Sequence, residues 1–196
     1  MAVRVVIAED EAIIRLDLRE TLEEQGYEVV GETGRGDEAV SLVREHAPDL
    51  AILDIRMPGM DGLAAAREIA AHGRSAVLIL TAFSQRNLVE EARDAGAMAY
   101  LVKPFTQADL VPAIEMAMGR FREMRAIQDS NASLEEQLAT RRVVDRAKGV
   151  LMDEHGMKES AAFDFIQKTA MKDRRKMREV AQDVIDGRLE PPDPPA

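Results

Sequence analysis

Strand-length apolar runs alternate with stretches of helical periodicity through the first part of the chain. Val3 to Ala8 is such a run, ending in Glu9-Asp10-Glu11; Ile13, Ile14, Leu16, Leu18 and Leu22 then follow at mostly helical spacing. The unit recurs. Tyr27 to Glu32 precedes a helix through Ala39, Val40 and Val43, and Leu50 to Asp54 precedes Leu63 to Ala71. Val77 to Leu80 precedes Leu88 to Ala95, and Ala99 to Val102 precedes a helix from Leu110. Such βα units with short connections predict a five-stranded parallel sheet covered by helices on both faces. The ends of the first, third, fourth and fifth strands should converge, at the edge where open parallel sheets bind ligands.

From Leu110 the pattern changes: Leu110, Ile114, Ala117, Phe121 and Met124 step by four and three, a narrow apolar seam on a long helix. It suits either a connector with a dimer seam or an overhang packing on its own sheet. Gln128 to Ser133 weakens the pattern, and Ser133 with Glu136 reads as a capping box opening a new helix at Leu134. Three amphipathic helices follow: Leu134 to His155, stopped by Gly156; Glu159 to Met171, with Ala162, Phe163, Ile166 and Ala170 on one side; and Arg174 to Ile185. They predict a small three-helix bundle. The expected organisation is a sheet domain over 1–120, a helical linker over 121–133, the bundle over 134–189 and a disordered tail over 190–196.

Composition narrows the chemistry. With no cysteine, the chain has neither disulfides nor thiolate metal sites. The N-terminus enters a strand directly and no apolar run reaches membrane-spanning length, so the chain reads as cytoplasmic, without a membrane partner. The net charge of -10 is uneven: residues 1–133 hold 14 Lys and Arg against 23 Asp and Glu, whereas residues 134–189 hold 12 against 11. The acidity belongs to the front, and the back carries a local basic cluster.

The converging strand ends supply Glu9 and Asp10, Asp54, Thr81 and Lys103. Three carboxylates on one edge repel unless a cation sits among them, and all-oxygen ligation suits Mg²⁺. A metal-bound carboxylate beside an ammonium is arranged to receive a phosphoryl group, because both cations neutralise the transferred oxygens. Taken singly, each residue also suits a helix cap, a first-turn acid or a surface cation.

Glu9-Asp10, Asp54, Met57-Pro58-Gly59-Met60-Asp61-Gly62, Thr81-Ala82 and Lys103-Pro104-Phe105, in this order, closely resemble the receiver domain of two-component response regulators. The resemblance implies a flavodoxin-like (βα)5 fold, a sensor histidine kinase as phosphoryl donor and Asp54 as phosphoacceptor. It implies Mg²⁺ held by Asp10, Asp54, Glu9 and the backbone carbonyl of Arg56. Lys103 would pair with the phosphoryl group, Thr81 and Tyr100 would form the switch, and the Lys103–Pro104 bond would be cis. Catalysis would be confined to self-phosphorylation and self-dephosphorylation at Asp54. Phe83, two residues past Thr81, would slow the latter by impeding the attacking water.

In the back of the chain, Lys172-Asp173-Arg174-Arg175-Lys176 joins Arg141, Arg142, Arg146 and Lys148 as either solvated helix ends or a phosphate-contacting surface. Few aromatic candidates are present for a base-stacking platform. Arg142 to Met152, Ala161-Ala162-Phe163 and Arg174 to Ala181 are similar to the ANTAR output domain. That resemblance implies binding of RNA stem-loops and transcription antitermination, with Lys148, Arg174, Arg175 and Lys176 as RNA contacts. RNA polymerase would be engaged only indirectly, and a phosphorylation-dependent homodimer would let two bundles grip two stem-loops. The alternatives are a DNA-binding response regulator, disfavoured by the lack of a clear recognition helix, and a helical output that docks a protein.

Overall fold

The computed structural model describes residues 2–82 and 86–191. Its elements in chain order are β1 (Arg4–Ala8), α1 (Ala12–Glu24), β2 (Glu28–Thr33), α2 (Gly36–His46), β3 (Leu50–Asp54) and α3 (Gly62–His72). There follow β4 (Ala76–Thr81), α4 (Arg86–Asp94), β5 (Ala99–Val102), α5 (Gln107–His155), α6 (Glu159–Asp173) and α7 (Met177–Ile185). The strands form one parallel sheet in the order β2-β1-β3-β4-β5, in line with the sequence pattern.

The strands are apolar on both faces because both are covered. Val5, Ile7, Leu50, Ile52, Leu78 and Leu80 meet Leu18 and Leu22 of α1 and Leu110, Ile114 and Ala117 of α5. The alternate residues Val6, Ala8, Ala51, Leu53, Val77 and Ile79 meet α2, α3 and Ala92 of α4. The strand β3, like β4, is paired on both edges and buried along its whole length, so Asp54 ends a fully enclosed strand. On α1 the periodicity promised more core than the helix delivers: Ile13 and Leu16 are exposed, and only Leu18 and Leu22 are buried.

The two readings of the Leu110 seam are now separable. Leu110, Ile114 and Ala117 are wholly buried against the chain's own sheet, so they form no free dimer seam. The cap expected at Ser133 is absent, because α5 runs unbroken from Gln107 to His155. Residues 128–133 contain neither glycine nor proline, and their weaker helix formers each cost no more than about 0.7 kcal/mol. Their N–H groups stay inside the helical ladder, and the Ser133 hydroxyl instead accepts from Gln137 Nε2 at 3.4 Å. A one-sided cap stands at the other end, where Asp109 Oδ2 accepts from the Thr106 N–H at 2.9 Å and the Thr106 hydroxyl at 2.7 Å.

One compact unit ends at Ala126 and a second begins at Ile127. In the second, Val144, Ala147 and Leu151 of α5 pack with Ala162, Ile166 and Ala170 of α6 and Val180, Ala181 and Val184 of α7. Phe163, expected on the core side, is instead 39 % exposed, and Phe165 packs against the core in its place. Phenylalanines two positions apart on a helix point to different sides, so only one can face inward.

Candidate functional site

Strand ends deliver the acidic pocket. Glu9 follows β1, Asp54 closes β3, Thr81 closes β4, and Lys103 follows β5 ahead of a cis Lys103–Pro104 bond. Lys103 Nζ lies 2.6 Å from Glu9 Oε2 and 3.1 Å from Asp54 Oδ1, drawing together three residues that are distant in sequence. Glu9, Asp54 and Thr81 are buried, whereas Asp10 is exposed. Tyr100 is 46 % exposed on β5. Arg56 lies in the loop after Asp54, while Phe83 lies outside the described residues.

Burial pushes the Glu9 carboxyl above its ordinary pKa, the Asp54 charge adds to this, and Lys103 offsets only part of it. For Lys103, burial pulls the ammonium down, but its close ion pair with Glu9 and the charge of Asp54 outweigh burial and hold the pKa above the ordinary value. The two acids share one ammonium, so this pocket is short of positive charge. Glu9 Oε2 touches Lys103 as an ion pair without hydrogen-bond alignment and is buried with no hydrogen bond among the described residues. One oxygen each of Glu9, Asp10 and Asp54 lies within 4.8 Å of the others, an all-oxygen set that fits a hard divalent cation.

The loop carrying Asp54 into α3 is held by glycine. A Cβ on Gly62 would fall 1.9 Å from the Asp54 carbonyl oxygen, and one on Gly36 would fall 2.1 Å from the Met60 carbonyl oxygen. Asp61 caps α3 by accepting from the Ala64 N–H at 2.8 Å. An open groove of about 640 Å³ borders the pocket, lined by Asp10, Arg56, Arg67, Leu88 and Glu91 among others. Arg67 and Glu91 escaped the sequence reading, as did Arg15, whose Nη1 donates to the Glu9 carbonyl at 2.5 Å. Helical periodicity marks such residues only as solvent-facing.

In the bundle, the four expected RNA contacts differ sharply. Lys148 is 16 % exposed and lies 2.8 Å from both Asp145 Oδ1 and Glu159 Oε1, tying α5 to the start of α6. Its bond holds the Asp145 carboxyl below the usual carboxylate range. Arg175 pairs with Asp183 and Glu179, and Lys176 with Glu136 at 3.5 Å. Arg174 is exposed, with no side-chain partner among the described residues, and its φ of 54° lies in the left-handed region at the end of α6.

Residues 5–115 match the response regulator receiver domain family, and residues 132–185 match the ANTAR domain family. The chain is 57 % identical over 183 residues to the transcriptional regulatory protein PdtaR of Mycobacterium tuberculosis, covering 93 % of this chain and 89 % of that protein. The chemotaxis protein CheY of Bacillus subtilis is 41 % identical over 112 residues, 57 % of this chain and 92 % of its own. Among solved structures, a chain of the CheX–CheY–BeF3–Mg²⁺ complex from Borrelia burgdorferi superposes with a TM-score of 0.55 at 26 % identity, covering 57 % of this chain and 86 % of that one. A LuxR-family two-component response regulator from Aurantimonas does so at 0.57 and 34 %, covering 61 % and 86 %.

Proposed function

Since the chain belongs to the response regulators that join a receiver domain to an ANTAR domain, and is a phosphorylation-controlled regulator with RNA-binding antitermination output, we propose that Asp54 is its phosphoacceptor. The observation that carries this is the Lys103 ammonium seated between buried Glu9 and Asp54 at the strand ends. A sensor histidine kinase would reach Asp54 along the groove past Asp10 and Arg56. A carboxylate oxygen of Asp54 attacks the phosphorus, the bond to the kinase histidine breaks, and an acyl phosphate forms. Lys103 then turns its charge to the new phosphoryl oxygens, and Thr81 at the end of β4 offers its hydroxyl to one of them. Tyr100, now half exposed, follows Thr81 inward.

Glu9, Asp10 and Asp54, with the Arg56 carbonyl, would hold Mg²⁺, which supplies further positive charge opposite the developing phosphoryl oxygens. On the output side, Arg174 is the leading RNA contact of the four because no carboxylate among the described residues engages it. Lys148, Arg175 and Lys176 would contact RNA by exchanging an internal partner for a phosphate. Phosphorylation would pair two chains so that two bundles engage two stem-loops, and Ile127, Leu134 and Leu138 are among the exposed apolar side chains of α5 available for it. Sedimentation showing phosphorylated, RNA-bound protein to be monomeric would remove that step.

The test is a titration of tandem-hairpin RNA and of duplex DNA with the unmodified chain, the beryllofluoride-loaded chain and Asp54→Asn. RNA binding strengthened by beryllofluoride in the parent but not in Asp54→Asn supports the reading. Preference for duplex DNA, or an equal response of Asp54→Asn, overturns it.

A further inference from the structure

The core face of α5 continues past the bundle core and turns polar. Val144, Ala147 and Leu151 are covered by α6 and α7, but one and two turns earlier the same face carries Thr140 and Gln137. Apolar helices do not close over polar side chains, and an open groove of about 540 Å³ remains there. Its apolar surface comes from Val144, Met177 and Phe163, and its polar rim includes Gln137, Arg141 and Asp145.

Two features of this groove are unusual for a bundle surface. Phe163 leaves 39 % of a large apolar side chain exposed on the groove, on a different side of α6 from Phe165, which packs against the core. The rim also offers both kinds of hydrogen-bonding group within one groove. Asp145 accepts only; Oδ1 is taken by Lys148, and Oδ2 is 3.8 Å from Arg141, too far for a hydrogen bond. Gln137 donates its amide N–H to Ser133, and its carbonyl oxygen has no partner among the described residues. A flat apolar wall beside donors and acceptors matches an unstacked nucleobase, whose face is apolar and whose edge is polar.

We infer that this groove captures one unpaired base from the loop of the bound RNA, with the Phe163 ring against its face and Gln137, Arg141 and Asp145 at its edge. The inference rests on the RNA-binding reading above and assigns it a base-specific subsite. Arginines at phosphates position the RNA without reading it, whereas a base in a groove reads the loop. The arrangement also changes the status of Lys148. By holding Asp145, a contact it keeps when Glu159 is exchanged for a phosphate, it is also a positioning residue for the groove.

The chain contains no tryptophan, so Phe163→Trp creates a single emitter at the site. The full-length chain is titrated with two RNA hairpins sharing one stem. One carries the loop recovered by this chain from a randomised pool; the other has an abasic loop with the same number of phosphates. Parent protein should prefer the base-bearing loop by about tenfold, Phe163→Leu should lose that preference while binding the abasic hairpin as before, and only the base-bearing loop should quench the Phe163→Trp emission. Equal binding of both hairpins by the parent, or an unchanged preference in Phe163→Leu, overturns the subsite, as would happen if the groove served a protein instead. If the parent recovers no loop and binds neither hairpin, the RNA-binding reading itself fails.

Discussion

Replacing Lys103 with methionine preserves much of the side chain's length and removes its charge. Glu9 is wholly buried, and the Asp54 side chain is 8 % exposed, so both carboxylates would lose their common counter-charge where water cannot replace it. Breaking a buried ion pair from one side costs about 3–5 kcal/mol. The Lys103 side chain is 12 % exposed and the neighbouring Asp10 edge is open, which places the expected loss near the lower end, at about 3 kcal/mol. With a urea slope of about 1–3 kcal/mol per molar, the midpoint of the receiver should fall by roughly 1.5 M.

The measurement is direct. Both tyrosines, Tyr27 and Tyr100, lie in the receiver and the chain has no tryptophan, so intrinsic emission follows that unit alone. In EDTA, Lys103→Met should show the full drop, and saturating Mg²⁺ should raise its midpoint more than it raises the parent's, because metal charge replaces what the substitution removed. The exposed pair Arg93–Asp94 provides the control: Arg93→Met should change little. A drop of less than about 0.5 M in EDTA, against the slope above, would refute the claim that Lys103 compensates two buried acids.

Three further outcomes are expected. Gly62→Ala drives a methyl group into the Asp54 carbonyl, so it should lower the tyrosine-detected midpoint and abolish acceptance of beryllofluoride, read by its effect on RNA binding. Arg174→Gly relieves a left-handed backbone worth about 1 kcal/mol while deleting an exposed charge, so circular dichroism should show the bundle as stable or more stable while RNA affinity falls. Asp183 is held below the usual carboxylate range, first by its bond from Arg175 and, against some burial, by the charges of Arg175 and Arg188; the stability it lends is complete above the unfolded carboxylate pKa and lost as pH falls through the lower folded value. Bundle stability should therefore decline on acidification below about pH 4 in the parent and less so in Asp183→Asn.

The sheet was readable from sequence because parallel strands buried on both faces leave continuous apolar runs, and Val5-Val6-Ile7 and Ala51-Ile52-Leu53 are such runs. The acidic pocket was readable because its members sit at strand ends, where topology alone brings them together. Three features were not. A capping box is a local pattern, so Ser133 and Glu136 gave no sign that the ladder of α5 runs straight through them. Helical periodicity assigns a face but not its cover, hence the exposed Ile13, Leu16 and Phe163. Composition counts charges without their partners, so Lys148 looked as available as Arg174 until Asp145 and Glu159 were found beside it.

That internal pairing bears on how the bundle would tell its own hairpins from other RNA. Arg175, Lys176 and Lys148 already hold carboxylates, so contact with a phosphate trades one neutralised pair for another, releases fewer counterions and gains little from bulk charge. Arg142, Arg146, Arg174 and Arg178 are exposed without a carboxylate partner among the described residues, a small reserve for an unspecific polyanion to exploit. Generic RNA should thus be held weakly, with residence decided at short range by those hairpins whose shape makes breaking the internal pairs worthwhile.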